Sequence, residues 1–243
     1  MAEGGFAGLA GKRVLVTGGS RGLGRAIVAF LAENGAEVIS IATRAGDGVD
    51  HPAATTHAVD LTDPAAIAGL AARLGDGPLD GLVGNAGLLG DIAPVTGGDP
   101  AMWERTVRVN LLANYHLLHL LGSRLTAAEA GRAVFVTSRS AYRGKPAWSA
   151  YSASKAALDA LVMAFASESA ETPARANLFS PGPMRTEMRA AAVPDEDPAS
   201  LPDPATLAPA LCRLLLPETT VTGKIYDAST GTFCEVVLPQ EVG

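Results

Sequence analysis

What this sequence has little of narrows the field before any motif is considered. Cysteine occurs only twice, as Cys212 and Cys234, with no spacing that suits zinc, so a disulfide-stapled or zinc-ribbon fold is excluded. Two thiols in a chain with no signal-peptide pattern predict a reduced, cytoplasmic protein without a disulfide. Aromatic residues make up 5% of the chain, and its 19 Lys and Arg are outnumbered by 25 Asp and Glu. With no basic tract and no aromatic-basic patch, nucleic acid and acidic membrane surfaces are not expected as partners. No apolar run is long enough to span a bilayer. The opening residues, Met1 to Gly11, form a small-residue lead-in rather than a targeting signal. His116 and His119 share a helix face, yet no third ligand lies near them, so no metal site is expected. The G-x-x-x-x-G-K-[ST], H-E-x-x-H and G-x-S-x-G patterns are missing, which leaves NTPase, zinc-protease and serine-hydrolase chemistry without support.

What is present is an apolar, lightly charged chain of 243 residues, long enough to bury a large core in a single domain over 1–243. Short apolar runs bounded by turn residues predict strands at Arg13 to Thr17, Glu37 to Ala42, Thr55 to Val59, Leu79 to Gly84, Ala133 to Ser138, Arg175 to Phe179 and Gly223 to Asp227. Helical patterns fall between them, at about Leu23 to Asn34, Asp63 to Arg73, Met102 to Leu125 and Ser152 to Glu171. Strands that are apolar throughout and alternate with helices imply a parallel sheet covered on both faces. The fold class is α/β, a doubly wound, Rossmann-like sheet. Residues 188–210, rich in proline and acids, read as a flexible insertion above the carboxyl ends of the strands, either a substrate lid or a plain surface loop.

The first strand runs into Gly18-Gly19-Ser20-Arg21-Gly22-Leu23-Gly24 and then into a helix. Gly18 suits the tight turn, Gly22 a close approach of backbone to a pyrophosphate, and Gly24 close packing of helix on strand. The helix N-terminus offers free N–H groups and a partial positive charge to phosphates. The second strand ends in Ala42-Thr43-Arg44, with no carboxylate to hold a ribose diol. Arg44, with Arg21 in the glycine turn, suits a 2′-phosphate instead, so NADP is favoured, with NAD as the other possibility.

A second constellation lies further on. Ser138 ends the fifth predicted strand, and Tyr151 and Lys155 stand four apart at the start of a helix, on one face. A cation beside a phenol favours the phenolate, which turns a tyrosine into an acid or base usable near neutral pH.

Taken together, T-G-x-x-x-G-x-G, Asp60, Asn85-Ala86-Gly87, Asn110, Ser138, Tyr151-x-x-x-Lys155 and Pro181-Gly182 resemble the short-chain dehydrogenase/reductase family over nearly the whole chain. The front half is similar to 3-oxoacyl-carrier-protein reductases, and the Pro-Gly region resembles a little-characterised group of bacterial oxidoreductases. The resemblance implies hydride transfer between the nicotinamide of NADP and a small-molecule carbonyl or secondary alcohol. It implies Tyr151 as general acid or base, Lys155 holding the nicotinamide ribose and lowering the tyrosine pKa, Ser138 bonding the substrate oxygen, and Asn110 supporting a water relay. Asp60 and Leu61 would meet the adenine, and Asn85, Ala86 and Gly87 the adenosine ribose side. Pro181, Gly182, Met184 and Thr186 would border the nicotinamide, with Thr186 at its carboxamide. Relatives pair as homodimers or homotetramers through the helices at Met102 to Leu125 and Ser152 to Glu171.

The chain departs from the family pattern in places. Ala45 to Thr56 holds Gly, Asp and Pro where relatives carry a helix, and Gly84 replaces an Asn. Arg139, Arg143, Arg185 and Arg189 flank the expected cleft, where they would either meet an acidic substrate or pair with acids. Trp148 and Tyr142 would line a substrate pocket or pack. Fold does not fix function, so a lyase, dehalogenase or isomerase and a nucleotide-sensing binding protein are the alternatives.

Overall fold

The computed structural model describes residues 5–236; the first four residues of the lead-in lie outside the described residues. Eight strands form one sheet in the order β3-β2-β1-β4-β5-β6-β7-β8. They are β1 (Arg13–Thr17), β2 (Glu37–Ala42), β3 (Ala54–Ala58), β4 (Gly81–Gly84), β5 (Arg132–Val136), β6 (Arg175–Ser180), β7 (Ile225–Asp227) and β8 (Thr232–Cys234). The first seven run parallel, and β8 returns antiparallel along β7. The chain order reverses between β1 and β4. In a doubly wound sheet the crevice outside the carboxyl ends at that reversal is where ligands bind.

The helices are α1 (Gly22–Glu33), α2 (Pro64–Arg73), α3 (Pro100–Val107), α4 (Ala113–Ala127), α5 (Ser149–Glu168), α6 (Glu187–Ala192) and α7 (Pro204–Arg213). Two apolar cores flank the sheet. On one face α2, α4 and α5 bury Leu70, Leu117, Leu121, Leu158 and Val162 against Leu82, Phe135 and Leu178. On the other, α1 and α7 bury Ile27, Leu31 and Leu211 against Val14, Val83 and Phe179. Helix starts follow a simple rule: α2, α3 and α7 each begin with an Asp-Pro pair. The Asp accepts the N–H two residues on, and the proline occupies the first turn, where its missing N–H costs nothing.

The expected doubly wound fold is found, with two corrections. The stretch 188–210 is not an irregular insertion: it contains the end of α6, a turn at Pro198–Ser200 and the first seven residues of α7, whose Ala208 is buried. Its Asp-Pro pairs start helical turns that a count of prolines hides. The long helix at Met102 to Leu125 is interrupted by a π segment, Arg108–Leu112, centred on Asn110. As the Gly, Asp and Pro of Ala45 to Thr56 lead one to expect, only a turn at Ala45–Asp47 stands where relatives carry a helix after β2.

Gly84 has a steric cause. A Cβ there would lie 2.2 Å from Cδ1 of Phe135 and 2.6 Å from Oδ1 of Asn114, and Phe135 is fully buried. Gly84→Ala is therefore expected to overpack the core by about 1–3 kcal/mol. A thermal melt should record a fall of roughly 3–10 °C for a chain of this size. An unchanged midpoint would show that Phe135 moves aside freely.

Candidate active site

One cleft of about 820 Å³ opens over the carboxyl ends of β1, β4, β5 and β6. Its floor is the glycine turn. Gly18 and Gly22 take φ of +70° and +53°, which a side chain would strain. A Cβ on Gly24 would sit 2.1 Å from the Gly18 carbonyl oxygen, so α1 can seat against the turn only with glycine there. The turn is locked to the next strand by Thr17, whose Oγ1 accepts from Asn85 N at 3.0 Å and Ala86 N at 2.9 Å. Asn85 Nδ2 donates back to the Thr17 and Gly18 carbonyls at 2.9 and 3.3 Å. The Asn85 side chain is thus spent on fixing the turn, while its backbone borders the cleft.

Every predicted cofactor residue lines this cleft except Arg44: Gly18, Ser20, Arg21, Gly22, Leu23, Gly24, Thr43, Asp60, Leu61, Asn85, Ala86, Gly87, Tyr151, Lys155, Pro181, Gly182, Met184 and Thr186. Arg44 is exposed beside it. Asp60 closes a turn by accepting from Thr62 N and Oγ1 at 2.8 Å, which holds its carboxyl below the usual range. Arg21 does not stand free: its Nη1 is 2.6 Å from Oε2 of Glu187 at the start of α6, across the cleft. Thr186 caps α6 by accepting from Arg189 N at 3.2 Å, and its methyl faces Gly22.

Ser138, Tyr151 and Lys155 come together at the other end of the cleft. Ser138 caps the turn after β5 and accepts from Ser140 N and Oγ at 3.2 and 2.9 Å. Lys155 is buried, donates to the Val136 carbonyl at 2.8 Å, and has its Nζ 5.8 Å from the centre of the Tyr151 ring. Burial pulls Lys155 down to about 8, opposed by the charge of Asp159. The phenol of Tyr151 is pushed up by burial, with Ser138 working against that and Asp159 adding to it. Burial is thus the first influence on the phenol in this arrangement, with the Lys155 ammonium facing its ring.

Asn110 does not line the cleft. It is fully buried in the π segment, where Oδ1 accepts from Leu88 N at 2.7 Å and Nδ2 donates to the Leu88 carbonyl and Ser154 Oγ, both at 2.9 Å. Its amide clamps the strand-end segment after Gly87 to α5. Of the four flanking arginines, three pair with acids: Arg139 with Asp227, Arg185 with Asp203 and Arg189 with Glu196. Trp148 lines the cleft edge-on to Tyr151, with Lys145 Nζ 3.3 Å from the centre of its ring. Tyr142 instead turns its hydroxyl onto Asp159. Arg105, Lys145 and Glu187 also line the cleft and were not foreseen, since nothing in their local sequence sets them apart. Cys212 is buried and Cys234 exposed, both as free thiols. Among the described residues no group of three or more His, Cys, Asp or Glu could hold a metal, and no helix is long and apolar enough to cross a membrane.

Comparison with known proteins agrees with this geometry. The family model described as short chain dehydrogenase matches residues 12–197. An uncharacterised oxidoreductase of Escherichia coli K12, YciK, is 38% identical over 63% of this chain, and the match spans 61% of that protein's length. The 3-oxoacyl-[acyl-carrier-protein] reductase FabG of Vibrio harveyi is 31% identical over 93% of this chain and 98% of its own. A short chain dehydrogenase of Shigella flexneri 2a strain 301, solved in complex with NADP, superposes with a TM-score of 0.84 at 32% identity, covering 92% of this chain and 99% of that one. With the family match spanning residues 12–197, most of the sequence, this chain belongs to the short chain dehydrogenase family of oxidoreductases.

Proposed function

We propose that the protein is an NADP-dependent reductase of a small carbonyl compound, working reversibly on the corresponding secondary alcohol. The observation that carries this reading is the meeting of the Gly18–Gly24 turn with Ser138, Tyr151 and Lys155 in one cleft. The residues present fit a dinucleotide: glycines at 18, 22 and 24 let the turn and the start of α1 lie close along the cleft floor, and the β2 end holds Thr43 and Arg44 with no acid. NADP in the Shigella flexneri relative supports the 2′-phosphorylated form.

When bound, the nicotinamide supplies the hydride. In this reading the chain's residues do the rest. Ser138 bonds the substrate oxygen and orients it toward the Tyr151 hydroxyl. Tyr151 delivers the proton in reduction and removes it in oxidation. Lys155 holds the nicotinamide ribose and keeps a positive charge near the forming oxyanion. Asn110 fixes the segment that closes the cleft behind Lys155. The domain acts as a single unit, with α6 as the movable wall over the substrate. A homodimer or homotetramer fits the exposed apolar Trp103, Leu112 and Tyr115 along α3 and α4, and two free thiols suit a cytoplasmic setting.

Titrating the protein with NADPH and NADH while following tryptophan and nicotinamide fluorescence tests the cofactor. NADPH is expected to bind more tightly. Arg21→Ala should weaken NADPH by about tenfold, the loss of one charge-assisted hydrogen bond, and leave NADH nearly unchanged. Equal weakening of both would place Arg21 away from the 2′-phosphate. Binding of neither nucleotide would remove the oxidoreductase reading.

A further inference from the structure

The helix that carries Tyr151 and Lys155 also carries a buried carboxylate that the chemistry above does not use. Asp159 lies one turn beyond Lys155 on α5 and is 2% exposed. Its Oδ2 accepts the Tyr142 hydroxyl, while Oδ1 has no hydrogen-bond partner. The hydroxyl of Thr137, just past β5, is equally buried and unpartnered. A carboxylate taken out of water without a tight ionic partner is costly, and an apolar residue in its place would stabilise α5.

We propose that Asp159 is a positioning residue of the reaction, whose charge, steadied by Tyr142, keeps Lys155 an ammonium and Tyr151 a proton-bearing phenol. This rests on the reading that Tyr151 and Lys155 carry the reduction. A negative charge favours the protonated form of both neighbours, and it acts on both in that sense. The ionisable groups that bear on it are few. Lys155 and Tyr151 come from its own helix and Tyr142 from the turn after β5, where Arg139 is tied to Asp227 instead. The neighbouring α3 and β6 bring no charged group to it. Burial holds Asp159 itself at about 6, against the hydrogen bond from Tyr142 and the charge of Lys155. The charge is therefore present at neutral pH and lost in mild acid.

The test uses the full chain with NADPH and ethyl acetoacetate as carbonyl probe, with kcat/KM followed from about pH 5 to pH 10. Asp159→Asn keeps the shape and a partner for Tyr142 but removes the charge. Its basic limb is expected about one pH unit lower than that of the parent, and the two profiles should converge below about pH 6, where Asp159 takes up a proton. Tyr142→Phe keeps the charge but loses a donor that favours ionisation, so convergence should move to higher pH. A merely structural role would lower the melting temperature and the amplitude without moving the limb. Asp159→Asn is instead expected to melt at or above the parent at neutral pH, since a buried charge has gone. If Asp159→Asn does not fold, Asp159→Ser, which also removes the charge, takes its place with the same lowering of the basic limb expected. An unmoved limb in a folded variant, with Tyr151→Phe inactive, overturns the proposal only. An active Tyr151→Phe, or no turnover by the parent, overturns the reading beneath it as well.

Discussion

Tyr151→Phe is expected to slow carbonyl reduction by about 10²–10⁴-fold, the range that a positioned proton donor contributes. NADPH affinity should stay within a few-fold of the parent. The expectation follows from where the atoms are. The phenol lies at the far end of the cleft from the glycine turn, beside Ser138, so removing one hydroxyl deletes the proton and leaves the floor of the nucleotide site in place. The ring still fills its half-buried position against Trp148, which argues against a packing effect. Rapid mixing of variant, NADPH and a carbonyl separates the two quantities: nicotinamide fluorescence reports binding, and loss of its absorbance reports transfer. Full activity in the variant would hand the proton to another group and remove Tyr151 from the mechanism. Loss of binding along with rate would instead mean that the phenol helps to hold the ribose.

The second large effect is expected at Gly24. Here alanine, the smallest side chain, meets backbone: its Cβ would fall 2.1 Å from the Gly18 carbonyl oxygen and 2.4 Å from Asn85 Nδ2. Neither can retreat cheaply, because the Asn85 amide also holds the Thr17 carbonyl and Gly18 stands in the left-handed region. Helix α1 must lift from the turn, which carries the first N–H groups of the helix away from the phosphates they would bind. Gly24→Ala should therefore weaken NADPH by at least about 10²-fold, since a misplaced turn loses several hydrogen bonds together. The same overpacking should cost about 1–3 kcal/mol of stability. Calorimetric titration and a melt check both. A variant that binds normally would mean that the turn has slack which this geometry does not show.

Much of the site is legible in the sequence because its parts are local. The strand-turn-helix around Gly18 and the i,i+4 pair Tyr151 and Lys155 lie within single turns of chain, so periodicity and glycine placement suffice to find them. The Asp-Pro helix starts were equally legible, yet the proline content of 188–210 hid two of them. What the sequence did not show depends on contacts between distant elements. Arg21 meets Glu187 across the cleft, and Tyr142 reaches Asp159 from another element. Arg132 buries its guanidinium among the carbonyls of Gly131, Pro173, Leu216 and Pro217. β8 is three residues long, too short for any alternation to register. The π segment at Asn110 is invisible for a further reason: one extra residue in a turn leaves composition and apolar spacing almost unchanged.

The segment that leaves β6 and returns through α7 is fixed at both ends and largely exposed between them. Its departure is pinned in the sheet, and its return lies in the core against α1. In between, α6 has no buried residue, and the segment is held by the ion pairs of Arg21 with Glu187, Arg185 with Asp203 and Arg189 with Glu196 and by the Arg185 N–H on the Pro202 carbonyl. Such a segment is modular. Its sequence can change without reaching the two cores of the sheet, although at Thr186 and Glu187 it also meets the glycine turn. The shape of one wall of the cleft is thereby uncoupled from the stability of the domain, because the residues that form it bury nothing in either core.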